Sequence, residues 1–214
     1  MNDTPLWRVG HVTGPLEFLP WDLFRASQRF DDPDRRFRTI YCAEREETAL
    51  REVLADFRPN LEEIQAFLST FDEDERGDLP DAPVTAAWRI GHVLAPTTAH
   101  LEGPVIDLLN PEVRRDLEKR HAAHLTAHDL KHLDLHEITT RRRAITQAIA
   151  ADVYQRLRAA AIRFPSSLDG NPCLAIFEGH SHLVAAGEPI PLTDPPPDAL
   201  VRVCDEWELK REDA

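Results

Sequence analysis

Strand-like and helix-like segments follow one another in this chain without regular alternation, and this order constrains the fold more than any other feature. Residues 7–12 and 38–43 predict two strands, the second of them rich in β-branched and aromatic side chains. Residues 46–57 predict a helix, because apolar side chains recur there at helical spacing and Pro59 lies just beyond the end. A doubly wound sheet requires regular alternation, so the sequence favours an α+β fold with a mixed β-sheet core and flanking helices.

The rest of the chain supplies further elements of both kinds. A short helix is predicted over 61–69 with Asn60 as its cap, another begins at Asn110-Pro111, and a long helix covers 140–160. Strands are predicted over 84–94, 104–108, 173–177, 182–186 and 200–204, a turn over 163–171, a solvated acidic loop over 71–83 and a fraying tail after 207. The hexapeptide at 7–12 recurs in similar form at 88–93, so both copies are predicted as strands.

The length of 214 residues is sufficient for one compact domain that needs neither disulfides nor metal. We expect this domain to span 1–214, with its core at 7–186 and a proline-rich connector, C-terminal strand and tail at 187–214. The chain carries 38 acidic and 25 basic side chains, and this net charge of −13 disfavours direct binding to nucleic acid. All but three of the basic residues are arginines, whose planar donors suit a local phosphate site.

The cysteines and the N-terminal residues indicate the cell compartment. Three widely spaced cysteines without a CxxC pair argue against a disulfide framework or a zinc ribbon. The N-terminal residues lack the basic and apolar stretches of a signal peptide, and no apolar run approaches the ~20 residues of a membrane span. We therefore expect a cytoplasmic protein that makes no membrane contact.

Several motifs for metal and nucleophile sites are missing from the sequence. Five histidines between residues 121 and 136 recur at spacings of three and four, but there is no HExxH motif and no accompanying Cys/Asp constellation, so solvated or hydrogen-bonded histidines are favoured over zinc. The stretch at 72–77 does not continue into an EF-hand loop. No metal is therefore expected. In the absence of GxGxxG, GxxxxGK[ST] and GxSxG, any nucleotide must be held by side chains or irregular backbone.

Several stretches, taken together and in order, resemble the RES domain, a family named for its arginine, glutamate and serine signature residues. They lie at residues 26–52, at Leu133-Asp134-Leu135, at 146–150 and at 162–177. With the first strand, the similarity covers roughly residues 7–180. The resemblance implies a fold related to ADP-ribosyltransferases and an activity that consumes NAD⁺. It also implies a toxin paired with an Xre-type helix-turn-helix antitoxin.

The resemblance implies two sets of functional residues. By motif position, the catalytic set comprises Arg29, Glu52 and Ser166. The NAD⁺-binding set comprises Arg8, Tyr41, Ser167 and Asn171. No cofactor is implied beyond NAD⁺ as substrate, with inorganic phosphate as co-substrate where the reaction is phosphorolysis.

These residue types suit cleavage of the bond between nicotinamide and ribose. The leaving group already carries positive charge, so the difficulty lies in the oxocarbenium-like ribosyl cation, which a Glu52 carboxylate would stabilise. Arg8 and Arg29 are expected to clamp the pyrophosphate or an incoming phosphate. Tyr41 is expected to stack on nicotinamide or ribose, and Ser166 to orient the substrate. The helical periodicity alone places Glu52 away from the apolar face of its helix and predicts a solvated surface acid.

More than one activity is consistent with the sequence. The leading hypothesis is a toxin that cleaves NAD⁺ by phosphorolysis or hydrolysis, and the alternative within enzymes is transfer of ADP-ribose to a protein. A catalytically silent NAD-binding or regulatory protein is a further alternative, because Ser27-Gln28 and Arg35 stand where relatives often have glycine or Asp-Gly. The expected partners are NAD⁺, an Xre-type antitoxin and a second copy of the chain in a homodimer.

Overall fold

The computed structural model describes residues 5–59, 61–70, 83–140 and 142–214. Its strands are β1 (Leu6–His11), β2 (Thr39–Ala43), β3 (His92–Leu101), β4 (Val105–Asp107), β5 (Ala161–Pro165), β6 (Pro172–Phe177), β7 (Ser181–Ala185) and β8 (Ile190–Pro191). Its helices are α1 (Glu46–Leu54), α2 (Leu61–Thr70), α3 (Ala86–Gly91), α4 (Pro111–Arg120), α5 (Ala122–Ala127), α6 (Leu135–Thr139), α7 (Arg143–Leu157) and α8 (Asp198–Glu206). A 3₁₀ turn, Ala55–Phe57, continues α1.

Within the described residues, eight strands form one sheet in the order β4-β5-β6-β2-β1-β3-β7, and β8 pairs with β3. The pair β4–β5 is parallel, whereas β5–β6, β6–β2, β2–β1, β1–β3, β3–β7 and β3–β8 are antiparallel. The sheet is therefore mixed, and helices flank it. The predicted α+β class with a mixed sheet is confirmed.

The central strands β1 and β2 of the sheet are paired over only a short length. These strands share a single paired position, Trp7 with Ala43, whereas β1 pairs with β3 from Leu6 to His11 and β2 pairs with β6 from Thr39 to Ala43. Backbone groups on the facing edges of β1 and β2 are consequently left without ladder partners over most of their length. A gap opens there, and it places Arg8 of β1 beside Tyr41 of β2.

Apolar side chains cover both faces of the sheet. Because side chains alternate along a strand, Val9 and Ala43 lie on one face with α1, α7 and α8, while Leu6 and Cys42 lie on the other with a smaller cluster. Helix α1 buries Leu50 and Leu54 completely, and each such side chain contributes roughly 1.5–3 kcal/mol when removed from water. This packing fixes the rotation of α1 and hence the direction of its polar face.

Most predicted elements are confirmed, and their local signals act as expected. In α4, Pro111 occupies the first turn and the Asn110 side chain accepts a hydrogen bond of 2.8 Å from the Glu112 amide. In α1, Glu46 and Glu47 occupy the first turn, where acids interact favourably with the helix dipole. The long helix predicted over 140–160 is confirmed with narrower bounds, since α7 covers Arg143–Leu157, Thr140 is the C-cap of α6 and Ala160 precedes β5.

The prediction of a strand over 84–94 is wrong for its first part, so the two similar hexapeptides differ in structure. Thr85 caps α3 by accepting a hydrogen bond from the Trp88 amide, and β3 begins only at His92. The Arg89 side chain is 1% exposed, and its guanidinium donates to the Leu192 and Glu212 carbonyls and to Asp194. These long-range bonds accompany the helical conformation of the segment, and the hexapeptide alone does not reveal them.

Three predictions near the C-terminus are also corrected. Residues 200–204 lie in α8 rather than in a strand, because Leu200, Val203 and Cys204 form one buried helical face. The turn predicted over 163–171 starts later, since residues 163–165 complete β5. The tail after 207 does not fray: Leu209 is buried, and Val84 forms a bridge with Arg211.

Some predicted features lie outside the described residues. These are the Asn60 cap and residues 71–82 of the acidic loop. In the parts of the chain that are described, no helix has both the length and the apolar character needed to cross a membrane.

Candidate active site

Glu52 and Ser166 meet between α1 and the turn that follows β5. The Ser166 hydroxyl donates a hydrogen bond of 2.6 Å to Glu52 Oε1, a distance in the range of charge-assisted O–H···O bonds. The same hydroxyl accepts a hydrogen bond of 3.1 Å from the Leu168 amide, which fixes its direction. Ser166 is 2% exposed, whereas Glu52 is an exposed residue, so the pair forms the inner and outer parts of one recess.

The carboxyl of Glu52 is partly removed from water although the residue is solvent-accessible. Burial raises its pKa above the ordinary value, while the Ser166 hydrogen bond and the Arg29 charge act to lower that pKa and the Asp169 charge acts to raise it. A carboxyl in an open recess behaves in this way, because protein atoms surround it on several sides while solvent reaches the residue from one. The surface acid predicted by periodicity is therefore a surface residue with a desolvated functional group.

The turn over 166–171 is held on one face of α1. The Asp169 carboxylate accepts a hydrogen bond of 2.7 Å from the Thr48 hydroxyl and forms an ion pair of 3.0 Å with Arg51. Within the turn, the Ser166 amide donates to the Asn171 carbonyl, and Gly170 adopts a φ of +74°, which L-residues avoid. Turn and helix thus carry matched polar groups that align Ser166 with Glu52.

Arg29 is positioned by the C-terminal end of α6. Its Nη1 donates to the carbonyl oxygens of Ile138 and Thr140, the latter at 2.6 Å. These carbonyls lie at the negative end of a short helix, so they attract a guanidinium. Gln147 of α7 donates to the carbonyls of Ala26 and Gln28 and so holds the loop that precedes Arg29.

The charge of Arg29 acts on two predicted site residues. Burial lowers the pKa of Arg29, the interactions with Glu52 and Tyr41 act to raise it, and the Arg143 charge acts to lower it. An arginine remains charged at neutral pH despite such burial because its ordinary pKa lies far above neutrality. Arg29 therefore supplies a fixed positive charge that acts on the Glu52 carboxyl.

Tyr41 connects this cation to a buried acid. Its hydroxyl donates a hydrogen bond of 3.0 Å to Asp31 Oδ1 and accepts one of 2.9 Å from the Phe30 amide. Burial raises the pKa of Tyr41 well above its ordinary value, so the hydroxyl stays protonated. Burial also raises the pKa of Asp31, which is 2% exposed. Because Tyr41 belongs to β2, these two hydrogen bonds attach Phe30 and Asp31, which follow Arg29 in the chain, to that strand.

Arg8 lies at the gap in the sheet and on the face opposite to the Tyr41 ring. Its Nε donates a hydrogen bond of 2.7 Å to the Pro15 carbonyl, and its Nη1 lies 3.5 Å from the Tyr41 carbonyl oxygen. Arg8 lines two cavities, one of about 240 Å³ that also borders Asp31 and Tyr41, and one of about 640 Å³ that also borders Val53. The larger volume lies within the usual range of ~300–1,000 Å³ for small-molecule sites.

The structure assembles some of the predicted site residues and separates others. Arg29, Tyr41, Glu52 and Ser166 belong to one network, and Arg8 reaches that network at the Tyr41 backbone. Asn171 lies on the Ser166 turn, where its amide donates to Asp169 Oδ1. Ser167 follows Ser166 but is exposed.

Gln28 and Arg35, the residues at which the family resemblance led us to expect glycine or Asp-Gly, lie in different surroundings. Gln28 lines the smaller cavity. Arg35 instead folds over the Trp21 ring and donates to the Trp21 carbonyl. Arg35 has a φ of +56°, a left-handed conformation that glycine adopts more readily. Arg35 therefore adopts this left-handed backbone conformation although it is not a glycine.

Sequence reasoning missed two acids that organise the site. Asp31 holds Tyr41, and Asp169 holds the Ser166 turn on α1. Their signal was present but indirect: Asp31 follows Arg29 by two residues, and Asp169 precedes Gly170 in a turn motif. Proximity in the chain to a predicted site residue was the available indication.

His121 and His132, two of the five histidines between residues 121 and 136, make separate contacts with different acidic side chains. His121 Nε2 lies 3.3 Å from Asp152 Oδ2, and His132 Nδ1 lies 3.5 Å from Glu118 Oε1. Burial lowers the pKa of His121, with Asp152 acting in the opposite direction. Among the residues that the structure describes, no three histidine, cysteine or acidic side chains are grouped as metal ligands would be.

Comparisons with known proteins complete the description. The sequence model of the RES domain matches residues 5–102 and 92–198. No curated protein sequence matches the chain. Among solved structures, the chain is similar to one in the crystal structure of the M. tuberculosis MbcT–MbcA toxin–antitoxin complex, with 16% identity, coverage of 84% of this chain and 80% of that chain, and a TM-score of 0.47.

Proposed function

The chain belongs to the RES domain family, and we propose that it is an enzyme that cleaves the bond between nicotinamide and ribose in NAD⁺. The observation that carries the proposal is the desolvated Glu52 carboxyl, hydrogen-bonded by Ser166 and faced by the Arg29 charge. A carboxylate held in this way is suited to stabilise a positive charge that develops beside it. The matched family positions of Arg29, Glu52 and Ser166 give this geometry its proposed role.

In the proposed step, the C1′–N bond breaks and its electron pair passes to the pyridinium nitrogen. Nicotinamide leaves as a neutral molecule, and positive charge accumulates on C1′ and the ribose ring oxygen. The Glu52 carboxylate stabilises that charge or binds the ribose hydroxyls. Ser166 restricts the carboxylate to one orientation, so the favourable interaction needs little reorganisation at the transition state.

The arginines serve the phosphates of the substrate. Arg29 is held by two carbonyl oxygens through Nη1, and this fixes its position within the recess. Arg8 lines both cavities beside the β1–β2 gap. The guanidinium group is a planar fork of donors that binds the oxygens of a pyrophosphate well. Tyr41 contributes the aromatic ring expected beside nicotinamide or ribose.

The nucleophile decides which reaction class the enzyme belongs to. A phosphate oxygen that bonds to this C1′ gives ADP-ribose phosphorylated at the same carbon. A water molecule that bonds there through its oxygen and loses a proton to solvent gives ADP-ribose. A protein side chain in the same place accepts ADP-ribose and becomes modified. We favour phosphorolysis or hydrolysis, with transfer to protein as the alternative.

The physiological part of the proposal is that the enzyme is the toxin of a toxin–antitoxin pair in the cytoplasm. The family resemblance supports it, and the partner would be an Xre-type helix-turn-helix antitoxin. Induction of the gene should stop growth while cellular NAD⁺ falls, and co-expression of the antitoxin should restore both. Growth arrest with unchanged NAD⁺ would argue for another target.

The direct test measures nicotinamide release from NAD⁺ by the purified protein, with and without phosphate. Glu52→Gln should reduce the rate about 100-fold or more, the usual scale for removal of one preorganised electrostatic group. Glu112→Gln on α4 is the matched control, because Glu112 is a helical acid whose side chain is 77% exposed and which makes no contact with the site residues described above. Equal rates for wild type and Glu52→Gln would refute the proposal.

Two further measurements separate the alternatives. Labelled NAD⁺ incubated with lysate yields a labelled protein band only where ADP-ribose is transferred. Calorimetry with NAD⁺ identifies a silent binder, since binding then occurs without nicotinamide release. Gln28 in the smaller cavity is the side chain whose bulk bears on that outcome, and Gln28→Gly tests it.

A further inference from the structure

One face of α1 carries the polar groups that receive the 166–171 turn. Thr48, Arg51 and Glu52 lie three and four residues apart, so they project from neighbouring positions of this helix. Glu52 accepts the Ser166 hydroxyl at one end of the turn, and Thr48 and Arg51 bind Asp169 at the other. The helix therefore contacts the turn at two points.

Asp169 is the residue that joins both parts of this arrangement. Its Oδ2 accepts from the Thr48 hydroxyl at 2.7 Å and from Arg51 Nη1 at 3.0 Å, while its Oδ1 accepts from the Asn171 amide at 3.0 Å. The Arg51 and Asp169 side chains are 15% and 13% exposed, so solvent screens their ion pair only weakly. One carboxylate thus closes the turn on itself and attaches it to α1.

We propose that Asp169 is a positioning residue for NAD⁺ cleavage: by attaching the turn to α1 it holds the Ser166 hydroxyl on the Glu52 carboxylate. This inference rests on the proposed function of Glu52. Loss of the attachment frees the turn to move away from α1, and displacements of about 1 Å at a reacting group reduce rates by about 100-fold.

The charge of Asp169 has a second effect on Glu52. Burial raises the Glu52 pKa, the Arg29 charge acts to lower it, and the Asp169 charge acts to raise it. Although burial acts to raise the pKa of Asp169 itself, the bonds from Thr48 and Asn171 lower it, so Asp169 is ionised at neutral pH. Cys173 on β6 also faces these acids, and burial raises the pKa of its thiol, which leaves it uncharged. Among these groups, Arg29 and Asp169 supply the opposing charges.

Two substitutions separate attachment from charge. Asp169→Ala removes both, whereas Asp169→Asn keeps the shape and an accepting oxygen but removes the charge. We expect kcat for NAD⁺ to fall tenfold to hundredfold in Asp169→Ala with KM changed less than threefold, and Asp169→Asn to recover most of that loss. In Asp169→Asn the acid limb of the kcat profile should move to lower pH. Asp116→Asn on α4, whose side chain is 76% exposed, is the matched control.

A readout without turnover keeps this inference separate from the proposed function. A ¹³C NMR titration of labelled glutamate carboxyls, with Glu52 assigned from its missing signal in Glu52→Gln, should show a lower Glu52 pKa in Asp169→Asn. An unchanged Glu52 pKa together with wild-type kcat in both Asp169 variants would overturn the inference. If wild-type protein cleaves no NAD⁺, the proposed function fails, and the titration alone decides whether Asp169 acts on Glu52. If Asp169→Ala is unfolded by circular dichroism, Asp169→Asn and the titration decide.

Discussion

Replacement of Ser166 by alanine tests the geometry of the candidate site most directly. Ser166 is 2% exposed. Its hydroxyl donates a hydrogen bond of 2.6 Å to Glu52 Oε1 and accepts one of 3.1 Å from the Leu168 amide. A hydrogen bond to a charged group contributes about 1.5–3 kcal/mol. Because each 1.36 kcal/mol corresponds to a factor of ten in rate, loss of carboxylate orientation should reduce kcat by about tenfold to hundredfold.

The pH dependence of Ser166→Ala has a definite sign. The Ser166 hydrogen bond acts to lower the Glu52 pKa, against the burial that raises it. Its removal leaves burial less opposed, so the Glu52 pKa rises further. Since the carboxylate is the active form in the proposed step, the acid limb of kcat should move to higher pH. This direction is opposite to that expected for Asp169→Asn, and the comparison therefore has an internal check.

The assay is nicotinamide release measured across pH at several NAD⁺ concentrations. KM should change less than threefold, because the Ser166 hydroxyl is committed to protein groups rather than to substrate. Ser69→Ala on α2, an exposed serine that donates to the Ala66 carbonyl, is the control for loss of a hydroxyl. A large rise in KM with unchanged kcat, or an acid limb that does not move, would show that Ser166 does not act through Glu52.

The remaining predictions concern stability and are checked by urea denaturation. Glu52→Gln should raise the free energy of unfolding at neutral pH while it lowers activity. The Glu52 pKa is raised in the folded state, so the wild-type protein loses stability as the pH rises through that pKa, and glutamine avoids this loss. A difference in unfolding free energy between variant and wild type that does not grow from acid to neutral pH would contradict this. Tyr41→Phe should cost about 1–3 kcal/mol, since the Phe30 amide and the Asp31 carboxyl lose their shared partner. No atom lies within 4 Å of a Cβ added at Gly170, so Gly170→Ala should cost about 1 kcal/mol from the φ of +74° alone. Gly170→Asn should cost less, because asparagine adopts the left-handed conformation more readily than alanine.

The elements that sequence reasoning predicted well are those in which local and tertiary signals agree. In α1, the apolar spacing, the acids of the first turn and the following proline all indicate a helix, and the same apolar residues fill the core. The errors occurred where tertiary contacts decide the local structure. Arg89 is buried by groups from Leu192 to Glu212. Residues 200–204 are apolar at four of five positions, and so short an apolar run fits either a strand or the buried face of a helix.

The candidate site divides in the same way. Glu52 and Ser166 were predicted from their positions in a family motif, and their hydrogen bond spans 114 residues, so no local pattern could have indicated it. Asp31 and Asp169 were missed because an aspartate beside a turn is ordinary loop chemistry until its partners on β2 and α1 are known. Motif order identifies which residues matter, and the tertiary structure shows which others hold them in place.

The sheet order has a consequence for the time at which the protein becomes complete during synthesis. The central strands β1 and β2 are synthesised first. However, β2 can pair with β6, and Glu52 can bind Ser166, only after those later segments have been synthesised. At translation rates of ~5–20 residues per second, the 114-residue separation between Glu52 and Ser166 takes roughly 6 to 23 seconds to synthesise. A ribosome that stalls before residue 166 therefore releases a chain with the glutamate but without its partner. Partial translation products of this gene are expected to be inert.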